Sequence, residues 1–567
     1  MRYSKKYIIF VCVLALALAG KFYNGRHSYV EIKEFRGATL QEEDWNPMIA
    51  SSVNERRLTA AIDNHTFTNN ENGIYMDDNL NIMIPLSIIR DSFNCSVQLY
   101  DSRELLIEKY SDSLQLVLNN PIGSFDKEEL KLKSPMVYRD GEYYVPMEVV
   151  SKELGYSYSW DISKNTVTAA NTSGETNILP ASYDLRNRGR NTPVKDQGSR
   201  GTCWAFAALT ALETSLLPEE SIQFSPDHMS LMNSFATNGN NGGQYTMSMA
   251  YLMSWQGPVT EEQDPYDGVA VEGLTAVKHV QEAQIIESKN LDKIKEAVFK
   301  YGGVQSAIYS TLQNAGSQSS FYNSMTNAYC YVGQEKPNHD VVIIGWDDNY
   351  SKDNFSVGLE GDGAFICQNS WGSQFGDDGV FYVSYYDTNI GVHNVVYTRI
   401  EDVDNYDKIY QSDLCGWVGQ LGYNRESAYG ANVYTAGSNE AVEAAGFYAT
   451  GKNTEYEIFV VPEFTGTDSL LKGQKVAAGK VENAGYYTID FDKEINVAAG
   501  EKFAVILKIT TPDSVHPLAI EYAGDESTAN VNLSDGEGYI SSLGRTWESV
   551  EETQNCNLCI KAYTKER

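Results

Sequence analysis

The sequence predicts a multidomain protein of mixed α and β structure. With 567 residues, the chain is long enough for three or four domains of ~150 residues each. Its first third contains an internal repeat, and its middle third contains an alanine-rich helical run followed by apolar, strand-like runs. Its last third consists of short β-type runs separated by glycine and asparagine. We therefore expect an N-terminal α+β repeat module, a central α+β domain and a C-terminal β-sandwich.

The chain begins with the pattern of an export signal. A basic start precedes an apolar core, residues 7–18, and a small-residue end suitable for cleavage, residues 17–20. The core is shorter than the ~20 residues needed to span a bilayer. We expect residues 1–20 to be a signal peptide, with an uncleaved N-terminal anchor as the alternative. Only 8 cysteines in the chain fit a bacterial secreted or cell-surface protein better than a disulfide-rich animal one.

Residues 57–170 contain two related segments. In each, a short strand reaches a proline, Pro85 or Pro146, and an amphipathic helix and a returning strand follow. We interpret this region as a stalk or surface-attachment module, with a pro-segment that blocks or assists the next domain as the alternative. Residues 21–56 form a polar spacer before it, and residues 171–178 a turn-rich linker after it.

The run from Gln197 to Leu209 carries the strongest chemical signal. Glycine and small polar residues precede an apolar stretch, 204–217, that predicts a helix. With Thr202 as the N-cap, Cys203 falls in the first turn, where unpaired backbone N–H groups and the helix dipole favour the reactive thiolate. The side-chain amide of Gln197 can donate to an oxyanion. This pattern predicts a thiol nucleophile.

Two later motifs supply partners for such a thiol. His339 begins a continuous apolar run that predicts a buried strand, which would hold its ring rigidly. Asn369 follows another short apolar run, so that its side-chain oxygen can accept a hydrogen bond from the imidazole while Trp371 shields that bond from water. Each residue alone is more often structural. The prediction depends on their occurring together and in this order.

These segments resemble the papain family of cysteine peptidases, and the resemblance runs over residues 179–400. The interval from Cys203 to His339 lies within the roughly 130–150 residues expected of this family. The resemblance implies a two-lobed fold, with the nucleophile on a helical lobe and His339 on a β-rich lobe. It also implies the catalytic roles: Cys203 as nucleophile, His339 as base and acid, Asn369 as the residue that orients the imidazole, and Gln197 as oxyanion donor.

The family resemblance further implies a substrate cleft between the lobes. Two glycines would lie along it, where missing side chains let a peptide bind to the backbone in extended form. The remaining candidates would form a side-chain pocket or shield the site. The substrate-binding set is Gly242, Gly243, Gln244, Tyr245, Asn338 and Trp371.

The chain departs from the family pattern beside the nucleophile. The family usually has a disulfide there, and its two cysteine positions are occupied here by Arg200 and Asn240. Because both halves are missing together, the pattern predicts loss of the crosslink and leaves other packing to hold the loop before Cys203. Asp340, where a small residue is commonest, can bias substrate choice or tune the base.

Both flanking regions have resemblances of their own. The second copy of the N-terminal repeat is similar to the bacterial module named after the N-terminal domain of copper amine oxidase, although neither copy has the histidine cluster that copper would need. Residues 402–567 predict an antiparallel β-sandwich. They resemble the lectin-like domain of some clostridial cell-surface cysteine peptidases, which implies binding of cell-wall or surface glycans.

Composition limits the partners. The net charge of −32 argues against nucleic acid and against a membrane surface beyond an N-terminal anchor. We expect a secreted or cell-surface cysteine endopeptidase that acts on proteins or peptides without a cofactor or catalytic metal. A structural calcium ion in the C-terminal domain stays open, although the acidic residues 402–407 lack a complete ligand loop. The alternative is an adhesive protein that binds carbohydrate or cell wall and has an inactive peptidase fold.

Overall fold

A computed structural model describes residues 53–63, 65–161, 163–172, 179–236 and 242–567. The predicted leader, most of the spacer and linker, and Asn240 lie outside these residues. The chain divides into two compact units, one of residues up to Asn191 with Leu217–Ser221, the other of Thr192–Leu216 with Ile222–Arg567. Within the described ranges, no helix is both long and apolar enough to cross a membrane.

The first unit is built around two strands that end in proline. Ile82–Pro85 and Glu142–Pro146 pair antiparallel, with Ile84 opposite Val145. Proline has no backbone N–H to continue a ladder, and a helical segment follows each strand directly. The two segments of the sequence repeat thus share one strand–helix order, and their strands pair with each other.

This pair forms the middle of a four-stranded sheet, which encloses one apolar core together with a second four-stranded sheet and a five-stranded sheet. The helical segments of the unit are Asn69–Asn72, Leu86–Ile88 (3-10), Ile89–Ser92, Met147–Glu153 and Leu185–Arg188 (3-10). Its strands are Thr59–Ile62, His65–Thr68, Tyr75–Met76, Ile82–Pro85, Ser96–Tyr100, Glu104–Lys109, Asp112–Val117, Ile122–Phe125, Glu128–Lys131, Val137–Arg139, Glu142–Pro146, Tyr156–Asp161, Thr166–Asn171 and Ser182–Asp184.

The second unit is organised around one buried helix, Cys203–Leu216. From Trp204 to Leu216 every residue except Ser215 is buried, as expected for a helix that is apolar on all sides. It packs against the strands His339–Asp347 and Asn394–Glu401. The other helices of the unit are Pro226–Leu231, Tyr245–Met253, Leu291–Lys300 and Val550–Gln554, with 3-10 turns at Lys352–Asn354, Thr467–Lys472 and Glu526–Thr528.

One mixed sheet runs through both domains of this unit. The strand His279–Ile285 pairs on one side with Asn394–Glu401 and on the other with Ala484–Val497 of the C-terminal domain. Both edges of that strand are therefore covered, which removes an exposed edge. The strands between Thr192 and Glu401 are His279–Ile285, Val304–Ile308, Tyr322–Asn323, Ala328–Tyr329, His339–Asp347, Ala364–Gln368, Val380–Ser384 and Asn394–Glu401.

The C-terminal domain is a β-sandwich. A six-stranded antiparallel sheet faces the end of the mixed sheet, and one core combines Phe447 and Ile560 of the mixed sheet with Ile458 and Val505 of the other. Its strands are Lys408–Tyr410, Gly419–Leu421, Ser427–Thr435, Glu440–Ala449, Thr454–Val461, Gln474–Val481, Ala484–Val497, Lys502–Thr510, Leu518–Glu521, Gly538–Ser541, Glu548–Ser549, Asn557–Leu558 and Ile560–Glu566. All seven cysteines of the described residues are free.

Candidate active site

Cys203 is the first residue of the buried helix. The carbonyl of Thr202 accepts the N–H of Phe206 at 3.2 Å, so the helix starts where the sequence predicts. The Thr202 hydroxyl lies 2.7 Å from the hydroxyl of Tyr266 and is not placed on a backbone N–H of the first turn. The sulfur of Cys203 faces the backbone N–H of Asp340, the residue after His339. The helix start and the beginning of the histidine strand therefore meet at the thiol.

His339 is fixed by two side chains from the loop after the strand Ala364–Gln368. Its Nε2 lies 2.8 Å from Oδ1 of Asn369, and its ring stacks on Trp371 with 4.8 Å between ring centroids. The same Oδ1 accepts the N–H of Ser370 at 2.8 Å, which sets the orientation of the amide. Because an amide oxygen only accepts, Nε2 carries the proton and Nδ1 keeps its lone pair. The imidazole is thus held as a base at Nδ1.

Gln197 is held at both ends of its side-chain amide. Its Oε1 accepts the Ser370 hydroxyl at 2.6 Å, and its Nε2 donates to the carbonyl of Arg200 at 2.7 Å. A primary amide has two N–H bonds, so the second one can serve an oxyanion beside Cys203. Ser370 is therefore part of the site; it stands inside the Asn-Ser-Trp-Gly motif, and sequence reasoning passed over it.

The two glycines of the predicted cleft differ in their surroundings. Gly242 has a left-handed φ of 77°, and a Cβ there would meet nothing within 4 Å, so the backbone is open to a ligand but disfavours other residues. A Cβ on Gly243 would overlap the indole of Trp204. Gly243 thus lies against the residue that follows the nucleophile.

The side chains of Tyr245 and Asn338, two other substrate-binding candidates, make contacts within the protein itself. Gln244 precedes the helix Tyr245–Met253 as its N-terminal boundary, and the Tyr245 ring stacks on His393 at 5.5 Å. The side chain of Asn338 accepts the N–H of Ser310 at 2.7 Å and donates to its carbonyl at 3.1 Å. Asn338 therefore fastens two loops together, a role that the sequence did not indicate.

Burial dominates the protonation of the catalytic pair. It raises the pKa of the Cys203 thiol to about 12, with the nearby Asp340 carboxyl adding to the effect. It lowers the pKa of His339 to about 4, against the opposing effect of the hydrogen bond to Asn369. Both shifts act against separation of charge between the thiol and the imidazole. Burial therefore opposes the thiolate that the helix start favours.

Asp340 is a titratable neighbour of the thiol. Its Oδ2 accepts from Nε2 of Gln305 at 2.8 Å, and Nε2 also lies 3.3 Å from the carbonyl of Trp204. Burial raises the pKa of Asp340 to about 6, against the opposing hydrogen bond from Gln305. Near neutral pH the carboxylate is therefore mostly ionised and disfavours the Cys203 thiolate.

Replacing Asp340 by asparagine removes this charge and keeps an acceptor for Gln305. We expect the rate of Cys203 alkylation by iodoacetamide near pH 7.5 to rise by about 3- to 10-fold, since one pKa unit corresponds to tenfold in thiolate population. The difference should disappear below about pH 6, where Asp340 is protonated in the wild type. The matched control is Asp347→Asn at the far end of the same strand. Equal rates for Asp340→Asn and wild type across this pH range would contradict the coupling.

Comparison with known proteins gives a consistent assignment. Residues 179–400 match the family model for the papain family cysteine protease, residues 409–564 that for a lectin-like domain, and residues 78–169 that for the copper amine oxidase N-terminal domain. Mouse pro-cathepsin H is 28% identical over 240 residues, which cover 41% of this chain and 68% of the relative. Falcipain-3 of Plasmodium falciparum is 27% identical over 281 residues, 48% of this chain and 53% of the relative.

Two solved structures extend the likeness across the second unit. The clostridial cysteine protease Cwp84 after propeptide cleavage superposes with a TM-score of 0.59 and 25% identity, covering 68% of this chain and 99% of that one. The cysteine protease and lectin-like domains of Cwp84, a surface layer associated protein of Clostridium difficile, superpose with a TM-score of 0.58 and 24% identity, covering 70% and 92%. The second match shows a shared fold.

Residues 179–400 form a papain-family cysteine protease domain, which confirms the predicted family, fold class and enzyme class. The chain as a whole combines this domain with a copper amine oxidase N-terminal-like module and a lectin-like domain. No cluster of three or more histidine, cysteine or acidic side chains suited to a metal ion occurs in the part of the chain that the structure describes.

Proposed function

We propose that this chain is a secreted or cell-surface cysteine endopeptidase that uses Cys203, His339, Asn369 and Gln197. The observation that carries the proposal is the 2.8 Å contact between Nε2 of His339 and Oδ1 of Asn369. It leaves Nδ1 as the basic nitrogen of a rigid imidazole at the strand end where the Cys203 sulfur lies.

The proposed reaction starts with proton transfer from the Cys203 thiol to Nδ1 of His339. The Cys203 thiolate, paired with the protonated His339, attacks the substrate carbonyl. The second N–H of Gln197 Nε2 and the backbone N–H of Cys203 stabilise the oxyanion. His339 then gives the proton to the leaving amine, and afterwards activates the water that releases the acyl group. Asn369 keeps the ring oriented throughout.

The substrates that we propose are proteins and peptides in extended conformation. Gly242 supports this choice, since its backbone is open to a ligand and offers main-chain hydrogen bonds to an added strand. Gly243 sits against Trp204 and continues the same wall towards the nucleophile. The side chains of Gln244 and Tyr245 would border the neighbouring pocket.

We further propose that the lectin-like domain holds the enzyme near surface glycans. Its support is the match over residues 409–564 and the surface-layer association of Cwp84. Two aromatic side chains of this domain, Tyr423 and Trp547, are partly committed to packing, since they contact the sandwich cores. Co-sedimentation of the full-length Cys203→Ala protein with purified bacterial cell walls tests this part, and absence of binding would contradict it.

The peptidase proposal is tested by active-site labelling. The full chain is incubated with a thiol-reactive peptidyl inhibitor, the labelled residue is mapped, and cleavage of an unfolded protein is followed in parallel. We expect label on Cys203 alone and cleavage that stops as labelling is completed. A wild-type protein that neither labels nor cleaves would favour the adhesive alternative with an inactive peptidase fold.

A further inference from the structure

Arg200 makes a dense set of contacts in the loop before the nucleophile. Its Nη1 lies 3.0 Å from Oδ1 of Asp227, and its Nη2 donates to the carbonyl of Asp267 at 2.6 Å. Its guanidinium also stands 4.8 Å over the ring of Tyr266. The Asp227 side chain is 1% exposed and that of Arg200 is 30% exposed, so the carboxylate is shielded from solvent and the guanidinium is partly open to it. Removing Arg200 would leave the buried Asp227 carboxylate without its cationic partner, which is energetically costly.

Asp227, the partner of Arg200, is itself held in place. Asp227 lies in the first turn of the helix Pro226–Leu231, and its Oδ2 accepts the backbone N–H groups of Asp267 and Gly268. A Cβ on Gly268, which has a left-handed φ of 92°, would overlap the guanidinium of Arg200. One carboxylate thus binds both the arginine and the backbone that surrounds it.

The same loop carries the candidate oxyanion donor. The carbonyl of Arg200 accepts Nε2 of Gln197 at 2.7 Å. Tyr266, under the guanidinium, donates its hydroxyl to the carbonyl of Gln197 at 3.0 Å and lies 2.7 Å from the hydroxyl of Thr202. The direction of the second N–H of Gln197 therefore depends in part on the Arg200 carbonyl, which belongs to the same residue as the anchored guanidinium.

We propose that Arg200, anchored by Asp227, is a positioning residue that aims the Gln197 side chain at the oxyanion. The inference rests on the proposed peptidase function and adds a residue to it. Arg200 touches no reacting atom; it acts through its own carbonyl and the stacked Tyr266. The ion pair holds the loop in a chain whose described cysteines are all free.

The test separates oxyanion stabilisation from thiol reactivity. In Arg200→Ala, kcat for a peptide amide is expected to fall by about 10- to 100-fold with KM little changed, less than the 10²- to 10³-fold that loss of an oxyanion donor itself produces. Alkylation of Cys203 by iodoacetamide forms no oxyanion, so its rate should stay within about twofold of wild type. Arg200→Lys, which keeps the charge and loses the two-pronged contact, should lie between. Asp227→Asn is a second variant that removes the negative charge of the same ion pair and leaves the sequence of the loop unchanged.

Lys295→Ala is the matched control. Lys295 also combines an ion pair, 2.6 Å to Oδ1 of Asp348, with a cation–π contact, 4.8 Å to the ring of Tyr385. It lies on the helix Leu291–Lys300 of the same domain, and none of these contacts reaches the candidate site. Its removal should lower stability by a similar amount and leave kcat unchanged.

A double-mutant cycle with Gln197→Ala decides the mechanism. If Arg200 acts through Gln197, adding Arg200→Ala to the Gln197→Ala variant should lower kcat only slightly further. Fully additive losses, a parallel fall in the alkylation rate, or an unchanged kcat in Arg200→Ala would each overturn the inference. A failure of the proposed function looks different, because the wild type would then show no Cys203-dependent cleavage to compare.

Discussion

Replacing Cys203 by alanine is expected to lower kcat on an unfolded protein or peptide amide on the order of 10⁶-fold, leaving only the residual rate that substrate binding and the oxyanion donors support. The expected loss is this large because the nucleophile and the base act as a unit. The helix Cys203–Leu216 should persist, since alanine is the strongest helix former. Initial cleavage rates and a thermal unfolding curve measure the two effects separately.

Cys330→Ala is the control for this variant. Cys330 is a free cysteine of the same domain, and burial raises its pKa to about 12, as for Cys203. Cys330 is fully buried whereas Cys203 is partly exposed, and no imidazole contact places a base beside Cys330. The variant should keep both label and activity. Cleavage by Cys203→Ala at the wild-type rate would disprove the nucleophile assignment.

The parts of the site that were predictable follow from local patterns. The helix predicted at 204–217 is observed at Cys203–Leu216, because small residues before an apolar run mark a helix start in the sequence itself. The apolar run after His339 forms the strand His339–Asp347, because a short continuous apolar run is typical of a buried strand. Asn369 directly follows the apolar run that forms its strand, so the sequence places it at the strand end.

The parts that sequence reasoning missed depend on contacts between distant segments. Nothing in the segment around Asp227 indicates that it receives Arg200, because the pairing is decided by how the helix Pro226–Leu231 packs. The pairing of His279–Ile285 with Ala484–Val497 is equally invisible, since any strand with the right length and polarity could fill a sheet edge. Gln305 was missed because a lone glutamine in a strand has no local signature.

The protonation of the pair depends on two opposing effects, and the sequence shows only one of them. A helix N-terminus stabilises a negative charge by about 0.3–1 kcal/mol, rising to ~2 in favourable partly buried sites. Burial raises the pKa of the Cys203 thiol and so acts against the thiolate. Burial is a property of the fold that the helix start alone does not reveal.

Replacing His339 by alanine should lower kcat on the same order as the loss of Cys203, since nucleophile and base act as a unit. The variant leaves a ring-sized space bordered by Trp371, at 4.8 Å from the lost ring, and by Oδ1 of Asn369. Free imidazole can enter this space and bind in the same orientation. We expect added imidazole to restore the rate by at least about tenfold, a small part of the 10²- to 10⁴-fold that a positioned base supplies.

The chain contains a close structural match for this histidine outside the site. His279 is 6% exposed against 7% for His339, stacks on Trp255 at 3.5 Å and lies 2.6 Å from Oδ1 of Asn405. His279→Ala removes a buried ring, the same kind of stacking and a hydrogen bond to an asparagine oxygen, here through Nδ1, without removing a base beside a thiol. It should lower the unfolding temperature and leave kcat unchanged. If His279→Ala lost as much kcat as His339→Ala, or if imidazole failed to rescue His339→Ala, the loss would reflect packing and the assignment of His339 as base would be wrong.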